Sequence, residues 1–200
     1  MMYNYRPEDS LTGSWTPQTF PYDTEITSGP SQYSLTTAEV KDFLRINDSL
    51  DDLYIDLLIA GVQEQVERYM GLDTTIRTRR SYWMRTAGTI RLPYGPHGSI
   101  TSVVSRDDDG NDTTLTAGTD YLVIGMKFKD IRLIQPTGGQ ILVTYQSGHG
   151  TVPSAIKGAM LQEISLQYKN RQDATPPRTS VNNLTIEARH LLAPYLRLDL

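Results

Sequence analysis

A chain of 200 residues with a formal charge of −4 is long enough for one domain with tails and a real core. It has no block of like charge, so nothing in its composition supports a free-standing nucleic-acid binder, which presents a basic face. Cysteine is absent, which excludes disulfides and thiolate metal sites.

Residues 1–34 are rich in Pro, Thr, Ser and Tyr and have no helical or strand period. That pattern fits a disordered leader. Disordered tails are poor in aromatics, however, and this one holds Tyr3, Tyr5, Trp15, Phe20, Tyr22 and Tyr33. The second reading is an extended arm whose rings dock on a neighbouring subunit. The segment lacks the apolar core of a signal peptide, and no stretch reaches membrane-spanning length, so the expectation is a soluble protein without a membrane partner.

Thr36 and Glu39 form a capping box, with Leu35 and Val40 as a hydrophobic staple, opening a helix over 36–46 that places Val40, Phe43 and Leu44 on one face. Asp51 and Asp52 suit the positive start of a second helix over 51–70. Leu53, Leu57, Leu58, Val62, Val66 and Tyr69 keep helical spacing there, and Gly71 supplies the stop. Gln63, Glu64, Glu67 and Arg68 read as its solvated face. From Thr78 the period changes to two, predicting strands at 81–85, 89–92, 100–106, 121–124, 131–134 and 140–146, with turn residues between them. The last strand alternates Ile141, Val143 and Tyr145 against Leu142 and Thr144. Gly148 and Gly150 break it, Pro153 opens a third helix over 154–171 with Ser154 as a possible cap, and Ile156, Met160, Ile164 and Tyr168 line one face. A helix cannot cross Pro176-Pro177, so 172–183 reads as a linker. A short helix over 185–193 follows in an apolar terminus, which should bury against its own domain or a partner.

The fold class is therefore α+β: a helical bundle with an inserted antiparallel β region over about 79–146. Four segments follow: an aromatic arm (1–34), the α+β domain (35–171), the linker (172–183) and a C-terminal docking segment (184–200).

No constellation carries chemistry. Asp107-Asp108-Asp109-Gly110-Asn111-Asp112 invites a calcium reading, but an EF-hand loop needs Gly at its sixth position and Glu at its twelfth, where this chain has Asp112 and Gly118. A tight turn explains the run. His97, His149 and His190 have no metal-ligand spacing, and P-loop, GxSxG and GxGxxG motifs are missing. The expectation is a protein that is not an enzyme and needs no cofactor or metal.

Four pieces in order resemble the head–tail connector (adaptor) family of tailed bacteriophages. They are Leu35 to Ile46 as its opening helix, Asp120-Tyr121 before an apolar run as its middle strand, Val143 to Arg171 as its strand–turn–helix, and Leu191-Leu192-Ala193-Pro194-Tyr195 as its ending. The likeness spans residues 34–196 and leaves out the aromatic arm. It implies a virion structural protein at the neck, assembled in the host cytoplasm, that joins the capsid portal to the tail. It also implies a homo-oligomeric ring, commonly of twelve copies, through which double-stranded DNA passes without sequence-specific binding. The implied partners are the portal, the next neck or tail-completion protein, and other copies of the chain. In that family the C-terminal segment enters the portal, which assigns docking to Leu184, Ile186, Leu191, Leu192, Tyr195, Leu196, Leu198 and Leu200. Tyr3, Tyr5, Trp15, Phe20 and Tyr22 are the expected arm contacts. The alternatives are another neck component (a stopper or tail-completion protein) and a small α+β enzyme with a site built from distant residues.

Overall fold

A computed structural model describes residues 21–30, 32–84, 88–135, 139–171 and 184–196. The elements run β1 (Asp23–Ser28), α1 (Thr37–Leu44), α2 (Asp52–Met70), β2 (Arg77–Trp83), β3 (Thr89–Arg91), β4 (His97–Arg106), β5 (Asp112–Thr114), β6 (Tyr121–Ile124), β7 (Asp130–Leu133), β8 (Gln140–Ser147), α3 (Ser154–Lys169) and α4 (Ile186–Leu192). A 3-10 turn, Ala193–Tyr195, ends the described chain.

Local chemistry sets the helix ends. Thr36 accepts the Glu39 N–H while the Glu39 carboxylate accepts the Thr36 N–H, closing the expected capping box. Gly71 ends α2 in the left-handed region with φ 68°. Pro153, not Ser154, is the cap residue of α3, and Ser154 is its first helical residue.

The helices share one core, in which Val40, Ile55, Ile59, Val62, Ile156 and Met160 are buried. Polar links fasten its rim: Lys157 pairs with Glu39 at 2.8 Å, and Arg171 with Asp51 at 2.7 Å. The last segment joins this core. Leu184, Ala188 and Leu192 are buried in it, Leu191 and Tyr195 pack on its edge, and the buried Glu163 of α3 accepts both the N–H and the hydroxyl of Thr185. Leu184 and Leu192, expected to dock on a partner, are thus buried in their own domain. Apolar side chains with a complementary face within reach bury there.

The strands form two antiparallel sheets among the described residues, in the orders β1-β2-β8-β4-β5 and β3-β7-β6. Trp83, Val103, Ile141, Val143 and Tyr145 of the larger sheet share a second core with Ile90, Tyr121, Ile131 and Leu133 of the smaller. The fold is mixed α+β, but its strands do not all lie between the helices. β1 precedes α1 and pairs with β2 at the edge of the larger sheet, so part of the predicted arm is a strand of this chain's own sheet. Its sequence, DTEITS, is mostly exposed and has no apolar alternation to announce it. The run at 107–111 is the turn between β4 and β5, where the Asp107 carboxylate accepts the N–H groups of Asp109 and Asn111.

A buried polar network joins the two cores. Alternation along β2 points Arg77, Arg79, Ser81 and Trp83 to one side. Arg79 donates two hydrogen bonds of 2.7 Å to the fully buried Asp73, which also accepts the Ser147 hydroxyl. Arg77 pairs with Glu67 at 2.7 Å. Glu67 also accepts the Thr74 N–H and the Gln63 amide, while the Gln63 carbonyl oxygen accepts the Ser34 N–H. Gln63 and Glu67 are therefore buried, contrary to the solvated face read from the sequence. Desolvation raises the Glu67 pKa against the opposing pull of Thr74 and Arg77. The folded state therefore holds that proton more tightly than the open chain, and the ionised carboxylate costs stability as pH rises through its titration.

Two outcomes are expected in urea unfolding. Leu192→Ala removes a fully buried side chain and should cost about 2–5 kcal/mol, whereas a side chain reserved for a partner would cost almost nothing. Asp73→Asn strips the carboxylate from two inward arginines and should cost about 3–5 kcal/mol.

Candidate interaction surfaces

Among the described residues no group of His, Asp and Glu side chains is arranged to hold a metal ion, and no helix is long and apolar enough to cross a membrane. His149 reaches the Asp73 carbonyl through Nδ1 at 3.2 Å, and its pKa is lowered by burial. The Tyr145 hydroxyl donates to the Pro93 carbonyl, and burial raises the pKa of its phenol. Both groups serve the junction between the cores.

Among the exposed apolar side chains of the described residues, two sets lie close together along the chain. The first is the β6–β7 hairpin, where Leu122, Val123 and Ile124 are each close to half exposed and Met126 is 92% exposed. Its tip is held, not loose. The His97 N–H donates to the Lys127 carbonyl, and His97 Nδ1 accepts the Lys129 N–H at 2.9 Å. With Nδ1 accepting, the ring proton sits on Nε2 and is donated to the Pro93 carbonyl at 2.9 Å. Phe128 stands edge-on to the His97 ring, with centroids 6.3 Å apart. Gly125 has φ 90°, and a Cβ there would lie 2.1 Å from the Phe128 carbonyl oxygen, so only glycine fits this turn.

The second patch lies at the start of α2. Leu50, Leu53 and Leu57 are 90%, 86% and 68% exposed. At about 100° per residue, Leu53 and Leu57 fall on one face, opposite the Ile55, Ile59, Val62 and Val66 stripe that enters the core. The single core stripe expected from Leu53, Leu57, Leu58, Val62, Val66 and Tyr69 is therefore two stripes on different faces. The 3-4 spacing of Leu50, Leu53 and Leu57 was the signal that a second apolar face exists.

The predicted contact residues are scattered. Ile186 is 60% exposed and Leu196 is partly exposed, but Leu184 and Leu192 are buried. Tyr22 is exposed beside β1, edge-on to Tyr82 with centroids 6.0 Å apart. Tyr3, Tyr5, Trp15, Phe20, Leu198, Leu200 and the linker 172–183 lie outside the described residues.

If His97 is the clamp of the hairpin tip, His97→Ala should speed hydrogen exchange of the Lys129 amide by about tenfold or more, through bonds worth about 1–3 kcal/mol. Amides in the middle of β8 should be unchanged.

Residues 35–111 match the family model described as phage gp6-like head-tail connector protein. No curated protein sequence matches the chain. Among solved structures, a chain in the neck of an empty gene transfer agent (GTA) particle, computed with C6 symmetry, has a TM-score of 0.70 at 15% identity, covering 89% of this chain and 97% of that one. A chain of the native GTA virion has a TM-score of 0.70 at 16% identity, over 88% of this chain and 96% of that one. A third, in the native GTA neck with C12 symmetry, has a TM-score of 0.60 at 16% identity, over 88% and 97%. At such identities the structural likeness speaks for the fold, and the family match speaks for the sequence. Over residues 35–111 the protein is similar in sequence to phage gp6-like head–tail connector proteins, and its fold is similar to that of chains in GTA particles and their necks.

Proposed function

We propose that this protein is a structural component of a virion neck, an adaptor that assembles as a ring between the capsid portal and the tail. The family match over residues 35–111 carries the reading. The two exposed apolar patches support it, since a protein working alone gains nothing from leaving leucines in water. Twelve copies is the proposed count, because one similar structure is of a neck with C12 symmetry. Double-stranded DNA would pass through the ring without sequence-specific contacts. A chain of net charge −4 suits a conduit, whereas a basic wall would hold phosphates.

The proposed grip on the portal is the end of the chain: Ile186 and Leu196, continued by Leu198 and Leu200. Leu184 and Leu192 anchor that segment from inside the domain.

The test is light scattering of the full chain with its portal, compared with a chain ending at Leu196. The shortened protein keeps α4 and every described core residue, so it should unfold like the full chain. Binding by the full chain and its loss on shortening would support both the adaptor role and the terminal grip. Binding that survives shortening takes Leu198 and Leu200 out of the grip and leaves Ile186 and Leu196 to be tested by substitution. A full chain that ignores the portal favours a stopper or tail-completion role.

A further inference from the structure

We infer that the hairpin tip Gly125–Lys129 of one copy docks on the leucine face at the start of α2 of the next copy, a head-to-tail contact that repeats around the ring. This rests on the ring reading above and names the two surfaces that meet.

Charge sorts the surfaces. Residues 48–57, which carry Leu50, Leu53 and Leu57, contain Asp48, Asp51, Asp52 and Asp56 and no basic residue. Asp52 is paired with Lys41, and Asp51 with Arg171. Asp48 accepts only the Leu50 N–H, and Asp56 accepts the Thr37 hydroxyl, so neither has a cation beside it among the described bonds. The tip Gly125–Lys129 has the opposite sign, with Lys127 and Lys129 and no acid. The Lys129 ammonium donates to the Gly98 carbonyl, and that of Lys127 lies 5.8 Å from the centre of the Phe128 ring. Neither has a carboxylate of its own chain in the described ion pairs.

Shape agrees with charge. Beside the leucine face is an open depression of about 330 Å³, lined by Tyr33, Leu35, Asp56 and Ile59 among others. Asp56 belongs to both: it lies one turn from Leu53 and lines the depression. Met126 is the most exposed apolar side chain of the hairpin. Being unbranched and adaptable, it suits such a depression, which would bring Lys127 beside Asp56.

The same charges rule against the alternative contact. An isologous dimer sets a patch against itself, here Asp48 and Asp56, which have no cation in the described ion pairs, against the same two, or two lysines against two. Opposite patches on different elements give a heterologous contact, which closes into a ring when its rotation allows.

Because the chain has no cysteine, introduced thiols are the only ones present. Full-length Met126→Cys and Leu53→Cys variants would be purified, mixed one to one, oxidised over a concentration series, and run on a non-reducing gel beside light scattering. The mixture should give a disulfide dimer that neither variant gives alone, and the double variant should give a ladder. Adding Lys127→Glu to the Met126→Cys chain should reduce the mixed dimer several-fold. Adding Asp56→Lys to its Leu53→Cys partner should restore it, a reversal that mere misfolding would not produce. Leu53→Cys cross-linking to itself as readily as to Met126→Cys overturns the inference in favour of an isologous dimer. Oligomers without a mixed disulfide leave the ring reading standing and remove this contact. A chain that stays monomeric and gives no mixed disulfide at any concentration counts against both.

Discussion

Asp73 holds Arg79 in a two-pronged hydrogen bond inside the protein, with Glu67 and Arg77 paired one step away, and the relation between helices and sheets depends on these bonds. The constraint begins in the pleat of β2. Ser81 and Trp83 must face inward to fill the sheet core, so alternation drives Arg77 and Arg79 to the same side. A guanidinium cannot be left there without a partner. The chain supplies carboxylates from the segment just before, Glu67 in the last turn of α2 and Asp73 past its glycine stop. Ser147 at the end of β8 and Ser34 before α1 attach to the same network, directly or through Gln63 and Thr74. Hydrogen bonds are directional, so they set the angle at which α2 hands over to the sheet in a way that apolar packing alone would not. Gly148 sits in the same junction: a Cβ there would lie 2.1 Å from the Thr75 carbonyl oxygen, and its φ is 107°.

The elements were legible wherever one face is buried and the other wet. β8 alternates Ile141, Val143 and Tyr145 inward, and α3 buries Ile156, Met160 and Ile164, because burial itself writes those periods. β1 and β5 left no such trace. They are edge strands with few buried residues, held mainly by backbone pairing that any sequence can make. The polar network was illegible for a related reason. Glu67 and Gln63 look like surface on a helical wheel, and only the register of a strand that follows α2 decides that their side becomes interior.

The apolar C-terminus was readable as a segment that buries, but the face that takes it was not. An apolar C-terminus signals burial without saying against what. Here the nearest apolar face is α3 of the same chain, and Leu184 and Leu192 take it. The leucines at 50, 53 and 57 signal burial just as strongly, yet the core already has its stripe from α2 at Ile55, Ile59, Val62 and Val66. A helix apolar on both sides, with one side filled, leaves the other exposed among the described residues.

That remainder links stability to assembly. The hairpin tip is held by His97 from the larger sheet and closed by a glycine turn, so it is already in place before any partner arrives. The leucine face lies on a long helix pinned at the same end by the bond between Asp51 and Arg171. Rigid, preformed surfaces lose little conformational entropy on binding, so modest patches would suffice for the proposed contact between copies. The acidic residues among the leucines then serve two ends. They keep the apolar face hydrated and make self-pairing unfavourable in the free protein, and they favour a partner surface that brings lysines. In the proposed contact, one set of charges thus opposes a symmetric dimer and favours the head-to-tail arrangement.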